Sequence, residues 1–394
     1  MFNQKRNLKY PSLFLICFFI STALFLNSCG RFILKDEGVE NKSIEELSGV
    51  SSARTNIDGL NTVIFEITQT VGSDGRLAGF FVVPSNGISF LLSIFKDNNA
   101  STTFDSLNDP DGIDILSPSS TPNLYNDATG SVGEKDLSKA GYSNVLVPQS
   151  PSFSAKAGTW TFKAYTNDRV SIALRTGSTP SAATITIQPY ITGTTWSAGD
   201  ISAALSVMSG IYSANGITLT INSTITISNT QYAEVSGTFI NSTTSALVSQ
   251  GVTEGVNLFF IEDYSDSESL GNAAGIPGSM GIANSWNGVL ISIAAHVYGS
   301  TLDAQLLGET AAHEMGHQLG LFHTTESGGT VFDILTDTAE CRNGNISAEE
   351  CEGYGAENVM FWTPWTTSSR SAGKKQETLS SHQQHVLKYS PIAK

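Results

Sequence analysis

At 394 residues, with 21 Lys and Arg against 36 Asp and Glu, the chain carries a formal net charge of −15 at pH 7, which argues against nucleic acid as a partner because a polyanion would be repelled. Charged residues are only 14% of the chain, and Ser, Thr, Asn and Gly are abundant, a balance suited to an extracytoplasmic, strand-rich protein of about two domains. The amino terminus opens on Lys5, Arg6 and Lys9, followed by an apolar run from Leu13 to Leu26. That run is too short and too weakly flanked to make a good membrane span, and it reads as a secretion signal.

Leu26-Asn27-Ser28-Cys29 resembles the bacterial lipobox. The resemblance implies a lipoprotein signal peptide over residues 1–28, with Cys29 lipidated and holding the chain on the extracytoplasmic side of the cell envelope, at the outer membrane or cell surface. The plainer alternative is an ordinary cut near Ser28 that leaves Cys29 as an incidental thiol. Residues 29–59 are polar and of mixed charge, the composition of a tether.

Residues 60–178 read as short strands and turns. Thr62–Thr68, Leu77–Val83, Ile88–Phe95, Asn144–Val147, Thr159–Thr166 and Arg169–Thr176 are rich in Val, Ile, Phe and Thr, and several alternate with period two. Turn residues such as Ser85-Asn86-Gly87 bound them, and together they predict a β-sandwich. The Ala157–Tyr165 segment resembles the closing hairpin of bacterial pre-peptidase sandwich modules. Asp109-Pro110-Asp111-Gly112-Ile113-Asp114 has carboxylates enough for Ca²⁺, although a solvated Asp-rich turn is the simpler reading.

A Ser/Pro/Ala-rich stretch at 177–184 marks a linker, and residues 179–394 form the second domain. Ile185–Tyr190 is a strand. Ser197 and Asp200 form a capping box for a helix with an apolar stripe of Ile201, Leu205, Met208, Ile211 and Tyr212, which Gly216 ends. Ile217–Ser228, Val256–Ile261 and Val289–Ala295 read as strands, Thr243–Ser249 as a short helix, and Gly271–Ser285 as a long loop or edge strand. His296 reads as a hydrogen-bonded structural histidine.

The chemistry concentrates in His313-Glu314-Met315-Gly316-His317-Gln318-Leu319-Gly320-Leu321-Phe322-His323, within a helix predicted from about Leu302 to Gln318. His313 and His317, four apart, share a helix face and can reach one tetrahedral Zn²⁺. Glu314 lies beside that face, where its carboxylate can take a proton from water at an open coordination position. Gly320 lets the helix stop in a left-handed turn, so that His323 returns as the third ligand. With six His and 36 Gly in the chain, chance placement of these residues at these offsets has odds on the order of 10⁻⁵.

The stretch is similar to the H-E-x-x-H-x-x-G-x-x-H signature of the metzincin clan of zinc metallopeptidases. Asn358-Val359-Met360-Phe361-Trp362 resembles the clan's methionine turn, implying that Met360 forms an apolar floor beneath the metal. His323-Thr324-Thr325 with Asp333-x-x-x-Asp337-Thr338 looks most like the pappalysin and cytophagalysin branch, with matrixin-like bacterial enzymes as the alternative. Thr325 departs from an aromatic and Ala339 from a proline common in that branch. Trp362 stands where astacin- and serralysin-like enzymes carry a metal-facing Tyr.

Of the four cysteines, Cys17 leaves with the signal and Cys29 is the anchor. Cys341 and Cys351 remain as a pair expected to close a disulfide on a secreted chain. Asn343–Glu350 is a faint second calcium candidate. A final helix opens at Ser380 and Gln383, with His382 and His385 expected to face solvent. The expected class is therefore α+β: an N-terminal β-sandwich, then a metzincin-like catalytic domain of mixed twisted sheet, active-site helix, methionine turn and C-terminal helix. The expected activity is surface-anchored zinc endopeptidase action on protein or peptide substrates, with Zn²⁺ as cofactor. The rival is a zinc-binding, adhesin-like lipoprotein without turnover.

Overall fold

The computed structural model describes residues 55–57, 59–67, 70–71, 76–95, 101–117, 139–140, 142–165, 170–342 and 346–394. The expected signal, Cys29, most of the expected tether and the start of the Asn343–Glu350 segment lie outside the described residues. The described residues all fall within one compact unit. No helix among the described residues is long and apolar enough to cross a membrane.

The first ten strands are β1 (Thr55–Asn56), β2 (Thr62–Glu66), β3 (Thr70–Val71), β4 (Leu77–Val83), β5 (Gly87–Phe95), β6 (Ser101–Asn108), β7 (Lys139–Ala140), β8 (Tyr142–Val147), β9 (Gly158–Tyr165) and β10 (Val170–Thr176). They build two five-stranded antiparallel sheets, ordered β1-β2-β10-β5-β8 and β3-β4-β9-β6-β7. Alternation decides what each face meets. Leu77, Phe81 and Val83 of β4 and Trp160, Phe162 and Ala164 of β9 point into a core shared with Phe90, Leu92 and Ile94 of β5. Phe81, Phe90 and Trp160 pack ring to ring at its centre.

β5 is buried continuously from Ser89 to Phe95 and is mostly apolar, because its sheet is covered on both sides. Phe90, Leu92 and Ile94 enter the core between the two sheets, whereas Leu91, with Ile64 of β2, Leu146 of β8 and Ala173 of β10, enters the core of the second half of the chain. A strand buried on both faces loses the polar half of its alternation. The sequence reading misses β6, whose polar run is carried by Phe104 and Leu107 alone.

The second half contains β11 (Ala183–Thr192), α1 (Ala198–Ala214), β12 (Ile217–Ile221), β13 (Ile225–Ile227), β14 (Glu234–Val235), α2 (Ser242–Val248), β15 (Val256–Ile261), β16 (Asp263–Tyr264), β17 (Gly271–Ala273), β18 (Val289–Ser292), β19 (Val297–Tyr298), β20 (Thr301–Leu302), α3 (Ala304–Gln318), α4 (Thr367–Ser371) and α5 (Ser381–Lys388). The main sheet runs β12-β11-β15-β18-β17, with β13 also beside β11. All its pairs are parallel except the edge strand β17, which is antiparallel to β18. The predicted Ile217–Ser228 strand is two strands, because β11 pairs with β12 along its first half and with β13 along its second.

Helix α1 begins where Asp200 accepts from the Ser197 N–H at 2.7 Å and packs against α3. The approach is close at Gly308, where a Cβ would lie 2.6 Å from the Ala204 carbonyl, and Tyr212 Oη donates to the Ala312 carbonyl at 2.8 Å. The first sheet grips the same region. Gln149, 2% exposed, donates to the Gly320 carbonyl, Asn144 donates to the Pro277 carbonyl at 3.1 Å, and Arg175 donates to the Lys388 and Ser390 carbonyls.

Candidate metal centre

Asp303 caps α3 by accepting from the Leu306 N–H at 2.9 Å, one residue inside the predicted start. The helix ends as the glycine requires. Gly320 has φ +104°, its N–H donates to the His317 carbonyl, and the Leu321 N–H donates to the Gly316 carbonyl, both at 2.9 Å. This is a Schellman turn. It reverses the chain within four residues and returns His323 to the face that carries His313 and His317.

The three imidazoles meet. His323 Nε2 lies 3.1 Å from His313 Nε2 and 3.0 Å from His317 Nε2. Each Nδ1 is engaged elsewhere: His313 with the Val359 carbonyl at 2.7 Å, His317 with the Leu321 carbonyl at 2.7 Å, and His323 with Glu326 Oε2 at 2.9 Å. Carbonyls and carboxylates only accept, so the ring protons sit on Nδ1 and the Nε2 lone pairs face one another. Burial, and then the neighbouring His323, push His313 down to about 3, so this ring keeps its Nε2 lone pair. Three converging lone pairs fit a cation. Tetrahedral zinc with Zn–N of about 2.0–2.1 Å sets its nitrogens about 3.3–3.4 Å apart, near the separations found. No other cluster of three His, Cys, Asp or Glu side chains among the described residues has the geometry to hold a metal ion.

The Asn358–Trp362 segment lies against this cluster. Val359 supplies the carbonyl that fixes His313, and Met360 accepts from the Thr324 N–H at 3.0 Å, next to His323. The Met360 side chain is fully buried and fits because Gly316 lacks a Cβ, which would fall 2.4 Å from its Sδ. The turn is held in its own right: Asn358 accepts from the Met360 N–H at 2.8 Å and exchanges amide hydrogen bonds with the buried Gln383 of α5 at 2.8 and 3.1 Å.

Glu314 is 8% exposed. Burial pushes its carboxyl up to about 8, partly offset by the Ala273 N–H that donates to it. The edge strand β17 therefore lies directly against this carboxylate. A Cβ on Gly271 would come within 2.6 Å of Glu314 Cγ, so glycine is needed for the approach.

The other singled-out residues also have definite places. His296 is fully buried, between the Ser292 carbonyl at 2.6 Å and Thr310 Oγ1 at 2.8 Å, in a structural role. Cys341 and Cys351 form a disulfide with Cα atoms 5.8 Å apart, and Trp362 packs against its cluster. Calcium is not supported at Asp109–Asp114: Lys156 Nζ contacts Asp109 and Asp111 at 2.5 and 2.8 Å, and Asp114 is occupied by the Leu107 and Leu116 N–H groups. In the second candidate, Glu350 caps a turn by accepting from the Ser347 N–H. The solvent-facing expectation for two histidines is corrected. His382 is half-buried and faces Asp337 at 3.3 Å, while His385 is half-buried and stacks on Tyr389 with centroids 4.2 Å apart, because α5 lies along the body of the protein.

Sequence reading missed Glu326, Gly316 and the Asn358–Gln383 pair. Gly316 carried a usable signal, since a glycine inside a helix implies close approach of another group. The amide pair joins residues 25 positions apart and left none.

Comparison with known proteins agrees with this geometry. Residues 198–324, from the start of α1 to the residue after His323, match the family described as Metallo-peptidase family M12B Reprolysin-like. The chain is also 27% identical over 182 residues to Extracellular metalloprotease 1 of Coccidioides posadasii (strain C735), a match covering 43% of this chain and 62% of that protein. The family match thus falls on the segment that carries His313, His317 and His323.

Proposed function

We propose that the protein is a zinc-dependent endopeptidase of metzincin type, acting outside the cytoplasm. The observation that carries the reading is the convergence of three Nε2 lone pairs, each fixed from behind through Nδ1, with a buried carboxylate on the adjacent residue. His313, His317 and His323 hold the metal. Zinc bound there supplies Lewis acidity toward a peptide carbonyl and a water molecule. Glu314 Oε takes the water's proton and passes it to the amide nitrogen of the leaving group. Burial raises the Glu314 carboxyl in the metal-free protein, which makes it a stronger base than an exposed carboxylate, and a cation beside it favours the ionised form that accepts the proton. β17, the antiparallel edge strand against Glu314, is the strand along which an extended substrate would align.

The name of the similar fungal protein supports an extracellular location. We read residues 60–178 as a β-sandwich module and 179–394 as the catalytic domain. Cys29 is the proposed lipid anchor, after a signal at 1–28 and before a tether to residue 59. The substrates are proteins or peptides met outside the cell.

The test is cleavage of casein or gelatin by purified protein, with zinc measured on the same sample. Wild type should cleave, and Glu314→Ala should bind zinc but not cleave. A wild type that binds zinc and cleaves no protein would favour a binding lipoprotein without turnover.

A further inference from the structure

Among the three imidazoles, His323 stands apart. His313 and His317 lean on backbone carbonyls, whereas His323 Nδ1 meets the carboxylate Glu326 Oε2 at 2.9 Å. Glu326 does not hang free. It opens a tight hairpin in which its N–H donates to the Val331 carbonyl at 2.9 Å, its carbonyl accepts from the Gly329 N–H at 3.0 Å, and Thr325 bridges to Phe332. The turn uses left-handed glycines at Gly328 and Gly329, with φ +96° and +63°. The hairpin is tied in turn to the disulfide, because the Cys341 N–H donates to Thr325 Oγ1 at 3.1 Å. The carboxylate is thus delivered to His323 by a fixed piece of backbone.

We propose that Glu326 is a positioning residue for the metal, acting through His323. This rests on the zinc reading and deepens it. Accepting the Nδ1 proton fixes the tautomer that presents Nε2 to the ion. The negative charge also makes this imidazole a stronger donor than its two carbonyl-backed neighbours, so His323 is the ligand whose strength the protein sets from outside the ligand set. Glutamine at 326 would keep an acceptor and lose the charge. Alanine would lose both and leave His323 free to rotate.

The experiment measures zinc affinity by chelator competition on wild type, Glu326→Gln, Glu326→Ala and His323→Ala, with metal-free thermal melting as the folding control. Visible spectra of the Co²⁺-loaded proteins report ligand geometry. Loss of the carboxylate is expected to weaken zinc about 10- to 100-fold in Glu326→Ala, with Glu326→Gln intermediate, metal-free melting unchanged and the Co²⁺ bands shifted. Zinc affinity within twofold of wild type in both variants, with an unaltered Co²⁺ spectrum, would overturn the proposal. Wild type failing to bind zinc would instead overturn the parent reading.

Discussion

Replacing Glu314 by glutamine should stabilise the metal-free protein relative to wild type as the pH rises. In the unfolded chain this carboxyl titrates near its ordinary 4.5, and in the folded, metal-free protein burial holds it near 8. A carboxyl with a raised folded value binds its proton more tightly when folded, so folding stability falls as pH climbs from the lower value to the higher. At pH 7.5 about three units of that window have been crossed, and at about 1.4 kcal/mol per unit the penalty is on the order of 4 kcal/mol. Glutamine does not titrate and carries none of it. The assay is urea denaturation of metal-free wild type and Glu314→Gln between pH 5 and 7.5. The absolute offset depends on how well the new amide is accommodated, so the quantity to read is the slope of the difference. Glu309, pushed up to about 7, and Asp333, pushed up to about 8, are common to both proteins and cancel. The variant should gain on wild type steadily with pH. A difference that stays flat, or that narrows as pH rises, would refute the claim that burial governs this carboxyl. Zinc should reduce the gain, because a cation beside Glu314 favours its ionised form.

Gly316→Ala should cost about 1–3 kcal/mol and weaken zinc retention, because its Cβ would fall 2.4 Å from Met360 Sδ; thermal melting with and without zinc measures both, and two unchanged values would remove the methionine floor from the account. Asn358→Ala leaves the fully buried Gln383 amide without its exchange partner, a loss of about 1–3 kcal/mol, read as a lower denaturation midpoint. Cys341→Ser opens a loop of sequence separation 10, worth about 3 kcal/mol on the chain-entropy model. Its stability should match that of reduced wild type, and a mismatch would mean that the serine acts otherwise than by opening the loop.

The site was far more legible than its supports. Period four on a helix and a glycine at the right offset specify a local geometry, so His313, His317, Gly320 and His323 follow from the chain alone. The same holds for α1, whose serine cap and apolar stripe are local signals, for the opening of α5 at Ser380 and Gln383, and for β15, read to the residue at Val256–Ile261. What failed was non-local. β6 hid its two core residues among polar ones because only the opposing sheet shows which side is buried. His382 and His385 were placed in solvent because the surface that half-covers α5 comes from elsewhere in the chain. Glu326 reaches His323 through a hairpin whose left-handed glycines can be seen in the sequence, but whose direction cannot. Lys156 answers Asp109 across 47 positions, a partner that the Asp-rich turn itself does not announce.

The central claim is most directly tested by X-ray absorption at the zinc edge on protein purified without added chelator. One zinc per chain is predicted, surrounded by three imidazole nitrogens at about 2.0–2.1 Å and one oxygen, with the imidazole signal reduced in His323→Ala. Protein that cleaves casein while holding no zinc, or a zinc shell without imidazoles, would contradict it.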